Sequence, residues 1–580
     1  MRFVQYFIKT ILLLLLIASI SPASTSTVDI QLNVKEFQLE NGMLFLVVER
    51  PATPQVAARL AIRAGSALEE TGRTGIAHLL EHMMFKGTKN FGTLDVAKDA
   101  KLQQQIEAAY QSILNEQQKR SPDQKRIRQK RAEMQKLRAE VQKMYVPQAF
   151  SSQLGKIGAV GVNAFTTKDQ TQYITSVPSD MLEQWFSMVS EQIFEPSWRE
   201  FYVEKEVVQR EWAFRYINDP GGAAWLDLNA TAYSAHPYRN PTIGWKSDME
   251  KYSTQDAIEF HQKYYNPANA VCVLVGDVTV AQAKQLAKTY FARYPAGQNA
   301  AETVTREPPQ QGPRKNIRYL KGARTPLVRI GYHSTRMGTA DFYALDAMIM
   351  VLSHGRGARM TQNIVNQGLA VEAWAYNPDN RYGGMLIVGG SPNEPEALKK
   401  SSGQPGEDEQ RKAYLAACEK LAALLVAEVE KFKTEAVSAR ELARINLLHG
   451  LANQLGGSLG GRQGAHGRVP LFRLLEGHLA QPRRGAVALD DLRILLRKQA
   501  VYVVVDMVED IVVWLDHVPA PYWSEVFAFQ PRFQVSANAG QGVVHVRADG
   551  GFAAIDHAGN LGIGKAVPVL QNHDRPLLRG

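Results

Sequence analysis

His78-Leu79-Leu80-Glu81-His82 constrains this chain more than any other five residues. Ile76, Leu79, Leu80, Met83 and Met84 recur at helical spacing around it, which predicts a helix over Thr74–Phe85 with one apolar face. Two histidines four positions apart on a helix lie one turn apart on the same side, so both imidazoles can reach one ion. Glu81 follows three residues after His78 on that side and can approach a water held by the ion without being a ligand. A metal held by two imidazoles and a carboxylate keeps an open position for water; that donor set suits zinc and also other divalent first-row metals. The alternative is a pair of helical histidines that cap or pack in a core. If the pair does bind metal, a third ligand has to come from elsewhere in the chain.

Composition limits the setting. The chain has 580 residues, 45% apolar and 21% charged, which excludes a collagen, a wholly disordered chain and a polytopic membrane protein. Its two cysteines, Cys272 and Cys418, exclude a disulfide-stapled scaffold and a cysteine-ligated zinc ribbon. Residues 1–24 have the layout of a secretory signal peptide: Arg2 and Lys9 in front, an apolar run over 11–20, then Ser21-Pro22-Ala23. The run is short for a bilayer span, so an uncleaved anchor is the weaker alternative. The expectation is an exported protein, in the periplasm first of all.

Further on, Phe37–Val48 reads as two strands across Asn41-Gly42. Residues 97–146 are rich in Gln, Lys, Arg and Glu. They carry two apolar stripes (Leu102, Ile106, Tyr110, Ile113; then Ile127, Met134, Leu137, Val141, Met144) separated by Ser121-Pro122-Asp123. This predicts an antiparallel helical hairpin projecting from the body, and most such charge-rich hairpins are solvated insertions. Gly161–Ile174 reads as two strands, Pro178–Phe194 and Trp198–Tyr216 as helices, and Ala270–Val275 as an apolar strand. Residues 301–316 read as a linker, 317–500 as a second α/β repeat and 501–580 as a tail of unclear fold, with Tyr502–Val505 and Ile511–Leu515 as strands.

A carboxylate to complete the metal set is offered by Glu204–Trp212. There Glu204, Val207, Val208 and Glu211 share a helical face, and a carboxylate on an apolar face is costly unless a cation or donors meet it.

With these segments the chain resembles the pitrilysin/insulysin family of zinc metallopeptidases, which includes the mitochondrial processing peptidase. The match is carried by Gly75–Thr88 around the His-x-x-Glu-His order, by Val162-Asn163-Ala164-Phe165-Thr166 and by Glu204–Glu211. It continues through His236-Pro237-Tyr238, Tyr264-Tyr265-Asn266-Pro267, Val275-Gly276-Asp277 and Gly355–Met360, and covers roughly Phe37 to Leu455. The resemblance implies an α+β fold of two similar repeats, each an antiparallel-rich sheet covered by helices, forming one half of a clamshell with a helical-hairpin insertion. Residues 25–300 would be the catalytic repeat and 317–500 the inactive one. It implies one zinc ion on His78, His82 and Glu211, Glu81 as general base, Glu204 as a supporting carboxylate, and Asn163, Ala164 and Phe165 on an edge strand that pairs with substrate. The substrate would be a peptide or a small unfolded protein.

Three departures from the family pattern follow. The stretch from His82 to Glu211 is long, and the 97–146 hairpin accounts for the excess. Only one half of the enclosing chamber is present, so a second copy or an inactive homologous partner chain is expected to close it. Beyond about Gly456 the chain leaves the family pattern, as a divergent domain or through a reading-frame disruption. A non-catalytic, peptide-binding subunit of the same fold is the alternative function. The net charge of +10 argues little for nucleic acid, because residues 97–146 hold 12 Lys+Arg against 6 Asp+Glu. It leaves open whether that hairpin touches an anionic membrane surface, a partner or only water.

Overall fold

The turn at Asn41-Gly42 joins β1 (Lys35–Gln38) to β2 (Leu44–Glu49) as an antiparallel pair, with Gly42 at φ 89°. The computed structural model describes residues 33–297, 304–321, 325–399, 406–445, 500–508, 534–538, 543–548 and 551–556. The expected signal peptide and the expected strand Ile511–Leu515 lie outside them. Residues up to Glu509 form one unit and Asp510–Gly580 another.

In the first unit β3 (Gln55–Ile62) alternates between exposed and covered positions, burying Val56, Ala58, Leu60 and Ile62 on one face. It leads into α1 (Ile76–Met83). Gly75 precedes that helix at φ 94°, and a Cβ there would stand 2.2 Å from the Ile243 carbonyl oxygen, so only glycine fits. The N–H groups of Gly75 and Ala77 donate to the Glu69 carboxylate at 2.8 and 2.9 Å, which satisfies the helix start from a distance.

Next come α2 (Val96–Gln117) and α3 (Gln124–Gln142), the expected helical hairpin, capped by Asp95 and Asp123. Its two ends are zipped together: Leu94 N–H donates to Met144 O at 2.9 Å and Val146 N–H to Gly92 O at 3.1 Å. Then follow β4 (Val160–Thr166), β5 (Thr171–Pro178), α4 (Leu182–Phe194), α5 (Phe201–Ala213), α6 (Pro220–Ala232), α7 (Thr254–Tyr264), β6 (Ala270–Gly276) and α8 (Val280–Tyr290). The first sheet runs β1-β2-β6-β3-β5-β4, which leaves β4 at its edge. Its core includes Phe45, Leu60, Leu79, Trp185, Phe186 and Phe291.

The hairpin does not project freely. It lies against α5: Asp99 and Arg199 form a buried ion pair, Tyr202 Oη donates to Glu107 at 2.6 Å, Lys205 Nζ donates to Tyr110 Oη, and Arg138 pairs with Glu206 at 2.8 Å. The expectation of a projecting insertion took these polar residues for solvated ones. Their partners recur every three or four residues along one side of α5, and that periodicity holds the hairpin down.

The second sheet is built from β7 (Arg314–Lys321), β8 (Leu327–His333), β9 (Ala370–Tyr376), β10 (Met385–Pro392) and β11 (Ala500–Val508), in the order β7-β11-β8-β10-β9. The strand β7 begins inside the stretch read as a linker. β11, which the sequence divided between second repeat and tail, lies between β7 and β8. α9 (Ala340–Ser353) and α10 (Glu407–Glu430) supply the core with Leu345, Leu352, Leu421 and Leu425 against Val328, Ile330 and Leu386. α6 joins the two halves, packing Leu228 with Met385 and Ile387. On the β4–β5 turn, the Asp169 carboxylate accepts from Tyr238 Oη at 2.7 Å and from the Arg381 N–H at 2.9 Å.

The fold is thus the expected α+β pair of similar repeats. The second unit contains β12 (Gln534–Asn538), β13 (Val543–Ala548) and β14 (Gly551–Asp556), a three-stranded antiparallel sheet.

Candidate metal centre

α1 lies against α5, α7 and β4, and the residues singled out on these elements come together. His78 and His82 are adjacent rings on α1, 4.8 Å between centroids. Both direct Nε2 at the carboxylate of Glu211 on α5, His78 at 3.7 Å and His82 at 3.5 Å. Ligand atoms of the three lie within 4.8 Å of one another, and the three form the metal-competent His/Cys/Asp/Glu group among the described residues.

Glu204, two turns before Glu211, faces the other nitrogen of His82: Nδ1 stands 3.2 Å from Oε2. A carboxylate on Nδ1 fixes the ring so that Nε2 presents its lone pair. Lys86, one turn beyond His82, holds Glu204 at 2.6 Å and Glu200 at 3.5 Å. Glu81 is 9% exposed and accepts from Thr166 Oγ1 at 2.6 Å.

Electrostatics separates the groups. Burial, followed by the charge of His82, pushes His78 down to about 3. Burial alone would also lower His82, but hydrogen bonds to Glu204 and Glu211 and the charges of Glu211 and Glu81 outweigh it and lift the ring to about 9. Burial would raise Glu211; the hydrogen bond from His82 and the charges of His78 and Arg215 pull it to about 2. Glu81 moves the other way, raised by burial against the opposing Thr166 hydrogen bond. A carboxylate with a raised proton affinity beside an ionised one is the division of labour a proton carrier and a ligand need.

The residues fit a divalent metal. Two imidazole nitrogens and one carboxylate converge, each has the protonation tendency or partner a ligand needs, and the buried Nδ1 of His78 has no hydrogen-bond partner. Such a ligand set also explains why three polar side chains are gathered in a largely buried place.

The edge strand β4 supplies the remaining singled-out residues. Asn163 and Phe165 are exposed and Ala164 is buried, and β4 pairs with β5 on one side only. Asn163 Oδ1 accepts from the N–H of Ala164 at 2.9 Å. Thr166, the next residue, ties this strand to Glu81.

Three contributors were not singled out from sequence. Thr166 and Lys86 lie inside the segments that carry the family resemblance, and the signal for Lys86 is its place four residues after His82. Arg215, on the π turn Phe214–Asn218 that extends α5, puts Nη2 2.7 Å from Glu211 Oε1. Its i,i+4 spacing from Glu211 was legible, its role beside a ligand was not.

Residues 44–116 match the family described as insulinase (peptidase family M16), and residues 251–446 match the peptidase M16 inactive domain. The chain is 27% identical over 371 residues to zinc protease PqqE of Helicobacter pylori, covering 62% of this chain and 71% of that one. It is 22% identical over 360 residues to the uncharacterized zinc protease YmxG of Bacillus subtilis, covering 62% and 73%. In fold it is similar to a protease from Helicobacter pylori, with a TM-score of 0.59 at 21% identity over 82% of this chain and 100% of the other. It is also similar to the first half of the periplasmic protease PqqL from Escherichia coli, with a TM-score of 0.54 at 18% identity over 82% and 92%.

Proposed function

The chain belongs to the insulinase/pitrilysin-like M16 peptidase family, and from that premise we propose that it is an exported zinc-dependent endopeptidase acting on peptides or small unfolded proteins. The observation that carries this reading is the convergence of His78, His82 and Glu211 beside Glu81 where α1 meets α5, next to an open strand edge.

His78, His82 and Glu211 would hold the ion, with Glu204 orienting His82. Zinc bound there supplies a Lewis acid for the scissile carbonyl and lowers the pKa of a water. Glu81 takes the proton of that water and returns it to the leaving amine, a task suited to a carboxylate whose proton affinity burial has raised. An extended peptide adds to β4 by main-chain hydrogen bonds, with Asn163, Ala164 and Phe165 along the contact. A second copy or an inactive homologous chain closes the chamber over this edge.

Export is supported by the apolar run of residues 11–20 and by the periplasmic description of the PqqL structure. No helix among the described residues is long and apolar enough to cross a membrane.

The test is metal analysis with peptide cleavage, for the wild type and Glu81→Gln. Retained zinc with cleavage lowered by about 10²–10⁴-fold in the variant supports the mechanism. Stoichiometric zinc with no turnover in the wild type, even with candidate partner chains, removes it in favour of a peptide-binding subunit.

A further inference from the structure

The α2–α3 hairpin has two faces, and only one is accounted for by its contacts with the body. On α3, Ile127, Met134 and Val141 are buried. With 3.6 residues per turn, Lys125, Arg128 and Lys136, together with Lys143 just past the helix, share the arc away from that buried seam, and Arg131 stands on its flank. All five are exposed, and none takes part in an ion pair among the described residues. Gln129, Ala132 and Ala139 lie among them on this arc, and Glu140 stands at its edge.

The acids of the hairpin are turned elsewhere or already engaged. Glu133 pairs with Lys130 at 2.7 Å, and Glu140, at the edge of the arc, with Lys98 at 3.0 Å. Glu116 takes Lys119 and Arg126, Asp99 takes Arg199, and Asp123 caps α3. The result is a cationic band of roughly 27 Å along the helix, from 1.5 Å of rise per residue.

We propose that this stripe docks the protein onto an anionic phospholipid surface. The long aliphatic stems of Lys and Arg let their charges reach the headgroups while the helix lies parallel to the membrane. The stripe is convex and carries small or uncharged residues between its cations, so it offers no groove for a single bound ligand. It also has no aromatic side chain for base stacking, which nucleic-acid strands exploit. Charge spread along a line with no pocket fits a fluid surface whose headgroups move to meet it. The signal-peptide layout of residues 1–24 points the same way, since an exported chain meets lipid headgroups rather than nucleic acid. Orientation follows from this: the hairpin sits on α5, so docking would set the metal-ligand helix at a fixed height above the membrane.

Co-sedimentation of the full chain with vesicles tests it, using phosphatidylcholine alone and phosphatidylcholine mixed with phosphatidylglycerol. The expected result is binding to the anionic vesicles only, abolished by high salt. Replacing Lys125, Arg128, Arg131, Lys136 and Lys143 together by Gln should lower the partition coefficient by at least about tenfold, since each cation near such a surface contributes on the order of 1 kcal/mol. A companion variant that exchanges Lys for Arg and Arg for Lys at the same five positions should bind as the wild type does, which separates charge from folding. No sedimentation with anionic vesicles, equal sedimentation with neutral ones, or unchanged binding by the Gln variant overturns the proposal. Tighter binding to a DNA fragment than to anionic vesicles at equal salt also overturns it, and assigns the stripe to a polyphosphate strand.

Discussion

The two repeats run their strands in one order. β2-β6-β3-β5-β4 in the first matches β7-β11-β8-β10-β9 in the second, with β2 parallel to β6, β7 parallel to β11, and every other neighbour antiparallel. The helix that follows the third strand differs. α1 carries His78, Glu81 and His82, whereas α9 buries Leu345, Met348, Ile349 and Leu352 with a single carboxylate, Asp346. The frame therefore does not make a metal centre. What makes it is the set of partners brought to α1: Glu204 and Glu211 from α5, and Thr166 from β4. Leu345 sits in an apolar cluster with Leu421, Leu425 and Val429. Buried polarity is tolerated where it is answered.

That contrast can be tested at four places. The largest effect is expected in the second repeat. Leu345→Glu, at a site 1% exposed, should cost about 3–5 kcal/mol as an unpaired buried charge, read from the denaturation midpoint. A variant as stable as the wild type would mean that the apolar cluster around Leu345 can host charge and that the contrast is superficial.

Next, Glu204→Gln should weaken metal binding by about 10–100-fold, because Nδ1 of His82 loses its carboxylate. Competition with a chelator measures it, and unchanged affinity would separate Glu204 from the ligand set.

Thr166→Val should lower kcat about tenfold with KM and metal content unchanged, since one hydrogen bond to a charged group is lost. Thr166→Ser should restore the rate. A rise in KM alone would place Thr166 in substrate binding.

A last effect is a pH dependence of metal affinity, about tenfold for each unit. In the metal-free chain His82 keeps its proton up to about 9, above its ordinary 6.5. The stabilisation from that charged ring is full below 6.5 and is lost as pH rises through about 9. Metal has to displace the same proton, so metal affinity should climb across this window and level off above it. A flat affinity profile would show that His82 is already neutral.

The features legible in the sequence were those with a local period or a local chemistry. The alternation of β3, the helical spacing around His78 and the paired stripes of the hairpin each sit within a short window. The ligand set needed more than periodicity: Glu211 stood out as one of two carboxylates on an apolar face, and family resemblance chose between it and Glu204. The docking of the hairpin was not legible. Asp99 and Glu107 look like ordinary solvated residues, and Tyr110 like part of the hairpin's own apolar stripe, until Arg199, Tyr202 and Lys205 are placed beside them. The position of β11 was hidden for a similar reason: its neighbours β7 and β8 are far away in sequence, and pairing at that distance leaves no mark in local composition. Thr166 went unmarked because a single hydroxyl has no pattern.

The two ends of the hairpin meet on one short backbone ladder, Leu94 with Met144 and Gly92 with Val146. The chain therefore leaves the body and returns to it at nearly the same point. The interval in residues between Glu81 and Glu211 is thus uncoupled from the interval in space, and a search that fixed the gap between motif and third ligand would pass over this protein. The ladder behaves like a socket: whatever is plugged into it can lengthen, shorten or acquire a new surface while His78, His82 and Glu211 stay where they are.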